Sequence, residues 1–192
     1  MPRVDKKTAK NAIAMLKGDH QKVKELFDKF EGESASKSTI VASAIEELKV
    51  HATIEEELFY PSLRQQIEDK DGLMPEADEE HHVAKVLIAE LENMKGDEEH
   101  WEAKFKVLAE SVRHHIKEEE KEIFPKARKT DIDFVALGEQ MRELKEKLNR
   151  DGVPPDAEAE MIRKYGVRND SPALKAQKTV QVPLKLKKSK AA

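Results

Sequence analysis

The sequence contains no cysteine, which excludes disulfide bonds, zinc-thiolate sites and iron-sulfur clusters. Any metal must therefore be held by histidine and carboxylate side chains. Aromatic residues make up only 5% of the chain, and no apolar run approaches the roughly 20 residues that cross a membrane. The first residues carry charges with no apolar segment behind them, unlike a secretory signal. We therefore expect a cytoplasmic protein with no membrane association.

Charged residues and helix-forming residues are abundant in the sequence. Charged residues make up 39% of the 192 residues, and alanine, leucine, glutamate and lysine are frequent while β-branched runs are few. This composition is typical of an all-α protein. The net charge of -4 gives no clear indication of nucleic-acid binding.

Apolar residues recur at steps of three and four, the spacing of residues that face the core of a helical bundle. Four helices are predicted at about residues 11–30, 38–60, 76–94 and 98–124. A fifth should pack against them through Phe134, Leu137, Met141, Leu144 and Leu148. The sequence thus predicts an up-down-up-down four-helix bundle with an extra C-terminal helix.

Two domains of different character are predicted: a helical domain in residues 1–150 and a flexible tail, rich in proline and lysine, in residues 151–192. Residues 171–192 carry six lysines and no acidic residue, so this part is predicted to be a disordered basic tail. This segment either is solvated and has no binding partner, or makes weak contacts with acidic surfaces.

One pattern occurs twice in the predicted helices. In residues 51–61 and in residues 115–125, a histidine precedes a glutamate by four positions and a proline by ten. Residues four apart on an α-helix lie about 40° apart around the axis and about 6 Å apart along it, so both side chains point the same way. The proline is expected to end the regular helix or kink it. Two such pairs facing each other in a bundle are the ingredients of a two-metal site; the pairs are His51 with Glu55 and His115 with Glu119.

Two further histidines, His20 and His81, fall in the apolar stripes of the first and third helices. At each pair of adjacent histidines, the apolar stripe indicates which one faces the core. It places His81 and His115 inside and His82 and His114 outside. Counted from the turns, the four inward histidines lie within about one helical turn of each other in depth. A lone core histidine is commonly a hydrogen-bonded filler. Unpaired buried carboxylates cost several kcal/mol each, so four histidines and two glutamates at one depth indicate a metal centre.

The other polar residues near the motifs are predicted to lie outside the ligand set. His82, His100 and His114 are expected at the surface or beside the ligands. The glutamates expected to be solvated are Glu56, Glu57, Glu118, Glu120 and Glu122. Without metal, Glu55 and Glu119 would face each other in an apolar layer, and we expect this to raise the pKa of a carboxylate.

These motifs together resemble the hemerythrin family, in particular its bacterial HHE cation-binding branch. The resemblance covers roughly residues 10–150 and rests on the Asp19-His20 and Glu80-His81 pairs, the two His-x3-Glu motifs, and the Leu-Phe-Tyr-Pro and Ile-Phe-Pro segments that follow them. It implies a four-helix bundle that holds two iron ions in a non-haem, oxo- or hydroxo-bridged centre. Manganese and zinc are the alternative metals.

The resemblance also implies a role for each site residue. Glu55 and Glu119 would bridge the irons, and the terminal ligands would be His20, His51, His81 and His115. Oxygen-carrying hemerythrins place two histidines four apart on the third helix, whereas Lys85 and Ala77 stand four positions after and before His81. The missing nitrogen leaves more open coordination positions for a small ligand.

The implied function is to bind, sense or react with a small oxidant, namely dioxygen, peroxide or nitric oxide, in sensing, oxidative-stress defence or iron handling. Two alternatives stay open. One is a catalase-like di-metal enzyme that consumes peroxide. The other is a helical interaction module in which a metal such as zinc is structural.

Overall fold

The structure is a computed structural model that describes residues 11–32 and 36–165. Its helices are α1 (Ala12–Glu31), α2 (Lys37–Ile54), α3 (Tyr60–Arg64), α4 (Leu73–Glu92), α5 (Trp101–Glu118), α6 (Phe124–Ala127), α7 (Phe134–Asp151) and α8 (Ala157–Tyr165). Two π-helical turns, π1 (Glu55–Phe59) and π2 (Glu119–Ile123), join α2 to α3 and α5 to α6. The described residues contain no β-strand, so the predicted all-α class is confirmed.

Four long helices form the predicted bundle. Helix α1 packs along α2 and helix α4 along α5, and contacts of α1 with α5 and of α2 with α4 close the ring. Helix α7 lies against α1, α2 and π1, which confirms that a fifth helix packs on the bundle. In the part of the chain that the structure describes, no helix is long and apolar enough to span a membrane. The cytoplasmic location stays a prediction.

Each repeated motif ends in a π-helical turn. In both copies the N–H of the residue before the proline donates to the carbonyl of the motif glutamate five residues earlier; these bonds join Tyr60 to Glu55 and Phe124 to Glu119. A proline lacks an N–H, and its ring clashes with the carbonyl four residues back, which accounts for the wider turn at this point. Pro61 does interrupt the α-helical hydrogen bonding, as predicted, but the chain stays helical to Arg64.

Two apolar clusters fill the bundle, and the polar residues of the motifs lie between them. We call the cluster that contains Phe59 and Phe124 the first core, and the cluster that contains Phe27 and Phe105 the second core. Burying each of these phenylalanine side chains contributes about 1.5–3 kcal/mol. On α1, His20 follows residues of the first core and precedes residues of the second. Apolar packing therefore flanks the histidine layer on both sides.

The folded part of the chain extends beyond the predicted boundary at residue 150. A flexible tail was expected from residue 151, but α8 forms within it and packs on α4, where Ile162 is buried against Ala89. This boundary was wrong because a nine-residue amphipathic helix after two prolines gives a weak periodic signal. The predicted basic segment at 171–192 lies outside the described residues.

Candidate metal centre

All six predicted site residues meet in the layer between the two cores. None of these residues is more than 6% exposed, and the two glutamates are fully buried. The six are His20, His51, Glu55, His81, His115 and Glu119. The neighbouring His82 and His114 are 52% and 58% exposed, as the apolar stripes predicted.

The inward atoms form two groups that share a carboxylate. One group consists of His20, His51, Glu55 and Glu119, and the other of Glu55, His81 and His115. Within each group the ligand-type atoms lie within 4.8 Å of one another. Glu55 directs one oxygen to each group, because Oε1 lies 3.2 Å from Nε2 of His51 and Oε2 lies 3.4 Å from Nε2 of His81.

Glu119 also reaches both groups. Its Oε2 lies 3.1 Å from Nε2 of His20 and 3.7 Å from Nε2 of His115. Across the second group, the Nε2 atoms of His81 and His115 approach each other to 3.1 Å. The two glutamates therefore stand between two pairs of imidazoles, one pair from α1 and α2 and the other from α4 and α5.

Tyr60 is a site residue that the sequence analysis did not single out. It is fully buried, and its hydroxyl donates to Oε1 of Glu119 at 3.0 Å. Burial raises the pKa of Tyr60 well above its ordinary value, and the charges of Glu119 and Glu55 raise it further, so the phenol keeps its proton. The corresponding position of the second motif is Phe124. This difference between two otherwise similar copies was the signal available in the sequence.

Several buried atoms in the layer have no hydrogen-bond partner among the described residues. They are Oδ2 of Asp19, Nε2 of His20, both ring nitrogens of His51, both oxygens of Glu55 and Oε2 of Glu119. Leaving one such atom unpaired costs about 1–3 kcal/mol. Nε2 of His20 lies 3.1 Å from Oε2 of Glu119, and Nε2 of His51 lies 3.2 Å from Oε1 of Glu55, but neither pair has hydrogen-bond geometry. This arrangement is expected when ligand atoms point at a common metal position. Imidazole nitrogens and carboxylate oxygens are suitable ligands for iron, manganese and zinc, so the residues present fit a metal pair.

The outer nitrogens of the imidazoles face a second ring of carboxylates. The Nδ1–O distances are 3.0 Å for His20 and Glu120, 2.9 Å for His81 and Glu56, 2.7 Å for His115 and Glu80, and 3.8 Å for His51 and Asp19. A carboxylate at Nδ1 orients the ring and favours the tautomer whose Nε2 is free to bind a metal. Glu56 and Glu120, predicted to be solvated, belong to this ring, so that prediction was wrong. Each follows a motif glutamate directly and reaches a histidine of another helix.

Two lysines stand behind this ring at equivalent positions. Lys24 donates to Glu120 at 3.2 Å, and Lys85 donates to Glu56 at 2.6 Å. Each lysine comes four positions after an inward histidine, so it lies on the same helix face one turn along. Lys85, which stands where oxygen-carrying hemerythrins have a further histidine, therefore neutralises an outer carboxylate.

Within the protein chain, the imidazoles and carboxylates of the histidine layer compensate each other's charge. Burial lowers the pKa of His51, but the neighbouring carboxylates of Glu55, Asp19 and Glu119 together outweigh it and raise this pKa to about 10. Burial lowers the pKa of His81 as well, but the neighbouring carboxylates of Glu55 and Glu56 together raise it to about 9. Burial raises the pKa of Glu55, but His51 and His81 hold it well below its ordinary value. The expected rise in a carboxylate pKa is therefore wrong for Glu55, because imidazolium groups supply positive charge.

A cavity of about 240 Å³ reaches the four imidazoles from the side of the second core. Val23, Leu48, Ile88 and Val112 are among its apolar walls. A small molecule can thus approach the histidine layer through a preformed opening.

Comparisons with known proteins agree with this architecture. The family model described as the Hemerythrin HHE cation binding domain matches residues 11–127. A crystal structure of a hemerythrin HHE cation binding domain-containing protein from Mycobacterium kansasii is similar in fold, with a TM-score of 0.62 and 24% sequence identity over 81% of this chain and 94% of that one. No curated protein sequence matches the chain significantly. The residues matched by the family model include both repeated motifs, while α7 and α8 follow them.

Proposed function

The chain belongs to the hemerythrin HHE cation-binding family, and we propose that it is a non-haem di-iron protein that binds, senses or reacts with dioxygen, peroxide or nitric oxide. Family membership and the buried histidine-glutamate cluster indicate metal binding. The identity of the metal as iron and the reaction with an oxidant are the further steps of the proposal.

The sharing of Glu55 and Glu119 between two histidine pairs is the observation that carries the proposal. In helical bundles, carboxylates that reach two ligand groups at once hold a pair of metals close together. Histidine and carboxylate ligands with open positions are typical of non-haem iron that reacts with oxygen species. We assign the bridging role to the two glutamates, and the terminal roles to His20, His51, His81 and His115.

The residues around the six ligand side chains orient them. When bound, the iron pair would supply the electrons and open coordination positions for an oxidant. The outer carboxylates fix the imidazole planes, and the ring of Phe124 stacks on His20 with centroids 5.7 Å apart. Tyr60 is fully buried and holds a proton at its hydroxyl oxygen, 3.0 Å from Glu119.

A catalase-like di-metal enzyme that consumes peroxide is the second candidate. Two observations favour it: the cavity leads from solvent to the imidazoles, and Tyr60 keeps a proton beside them. The cavity also disfavours a purely structural metal, because structural sites are closed. Steady-state peroxide consumption by the metal-loaded protein would support the enzyme, whereas stoichiometric reaction without turnover would support a binder or sensor.

Metal analysis and an absorption spectrum of protein purified in air from iron-replete cells test the main proposal. We expect about two irons per chain and near-ultraviolet charge-transfer absorption, because the two ligand groups share their carboxylates. Stoichiometric zinc, or no bound metal, would contradict it.

A further inference from the structure

We propose that the cavity beside the imidazoles binds a compact organic molecule with an apolar body and a single hydroxyl or hydroperoxy head, and that residues 153–156 cover it. The inference rests on the proposed function and deepens it, since it names the class of molecule that the centre meets. We call residues 153–156 the roof segment; they join α7 to α8.

The size of the cavity exceeds what a small oxidant needs. An apolar cavity of about 150 Å³ is enough to hold benzene. The cavity here measures about 240 Å³, so it has room for a substituted aromatic or branched aliphatic molecule. Dioxygen or peroxide alone would leave most of this volume to water.

The walls and the floor of the cavity differ in polarity. Leu48, Ile88, Val112 and Ile116 supply apolar wall surface, while the four inward histidines lie at the inner end. A molecule with an apolar body gains about 25 cal/mol for each Å² of apolar surface removed from water against such walls. Its polar head then lies nearest the imidazoles.

Most charged side chains that line the cavity are paired within the protein. Asp19 pairs with Lys145, Glu56 with Lys85 and Glu80 with His115. Lys49 pairs with Glu92. The size of the cavity, its apolar walls and its polar inner end therefore select the molecule.

The roof segment is held in place at both ends. Gly152 ends α7 at φ +83°, a conformation that L side chains rarely adopt, and its N–H donates to the carbonyl of Leu148 at 2.8 Å. Two prolines with fixed φ angles follow. Oδ1 of Asp156 then accepts from the N–H of Ala159 at 2.8 Å, at the start of α8. The cavity is thus bounded by a fixed covering.

Helix α8 fastens this roof to the bundle. Glu158 lies 2.7 Å from Nδ1 of His82 on α4, and Ile162 is buried against Ala89. The roof and α8 follow the residues 11–127 that the family model matches. The pocket beneath the roof therefore depends on residues that the family match does not include.

Calorimetric titration of the metal-loaded full chain with benzyl alcohol tests the proposal, with toluene as a molecule of similar size that lacks the hydroxyl head. We expect saturable binding of one benzyl alcohol per chain and weaker binding of toluene, because toluene cannot hydrogen-bond at the polar inner end. Ala84→Phe places a ring in the cavity wall and should weaken benzyl alcohol binding at least tenfold. The matched control is Val83→Phe, on the same helix at a position 47% exposed, which should bind as the wild type does.

A second pair of variants covers the case in which Ala84→Phe does not fold. Ser111→Phe also fills the cavity from α5, and its control is Val107→Phe at a position 53% exposed. The proposal is overturned if metal-loaded wild type shows no saturable binding, if the folded filled variants bind as tightly as their controls, or if toluene binds as tightly as the alcohol. Metal content is measured on the same samples. Binding to a preparation that cannot take up metal would refute the di-iron function while supporting the pocket.

Discussion

Glu80 offers a direct test of the carboxylate ring outside the imidazoles. Its Oε2 lies 2.7 Å from Nδ1 of His115, the shortest of the four outer contacts, and its side chain is only 21% exposed. In Glu80→Ala the imidazole of His115 loses the partner that fixes its plane and tautomer. We therefore expect weaker metal binding without loss of the fold.

The size of the effect follows from the position of Glu80. Losing an outer partner of a metal-bound histidine typically costs 10–100-fold in metal affinity, or about 1.4–2.7 kcal/mol. Exposed His114 also approaches Glu80 at 3.7 Å, so water can replace part of the lost interaction. We expect a loss of about tenfold, near the lower end of that range. Glu80→Gln keeps an acceptor oxygen without the charge and should fall between the wild type and Glu80→Ala.

Competition with a chelator of known affinity measures this loss. The matched control is Glu79→Ala, because Glu79 is the exposed neighbour on the same helix. If Glu80→Ala holds metal as tightly as Glu79→Ala does, the outer carboxylates do not orient the ligands and the argument from the Nδ1 contacts fails.

Three further predictions concern the ligands and stability. His81→Ala or His115→Ala should lower bound metal or abolish its absorption, while His82→Ala or His114→Ala should leave both nearly intact; the reverse in either pair would mean that the helix is rotated by one residue. The metal-free protein should melt below the metal-loaded form, since a ligand at 1,000 times its dissociation constant adds about 4 kcal/mol; equal melting temperatures would count against a core site. Tyr60→Phe leaves a buried carboxylate oxygen without its donor, so denaturant titration should show a loss of about 1–3 kcal/mol; an unchanged unfolding free energy would contradict that contact.

The positions of the inward residues could be predicted because helical periodicity is a strong local signal. Adjacent residues point about 100° apart, so the apolar residues around each His-His pair decide which histidine faces the core. That reasoning placed His81 and His115 inside, where the structure has them. The position of the site along the bundle could be predicted because the connections between consecutive helices are short, and short connections make neighbouring helices antiparallel. The roles of these residues as metal ligands stay a prediction.

Features that depend on contacts between helices escaped sequence analysis. Glu56 and Glu120 look like solvated charges along their own helices, and only packing brings them to His81 and His20. The π turns were missed because one wider turn changes the apolar spacing very little. The roof segment was missed because a short helix after two prolines resembles the start of a tail.

X-ray absorption spectroscopy of the iron-loaded protein tests the central claim most directly, because the claim is that Glu55 and Glu119 hold two metals side by side. It predicts two irons per chain, nitrogen and oxygen ligands only, and a second iron within about 4 Å of each absorber. A single iron per chain, or iron with no neighbouring iron at that distance, would contradict it.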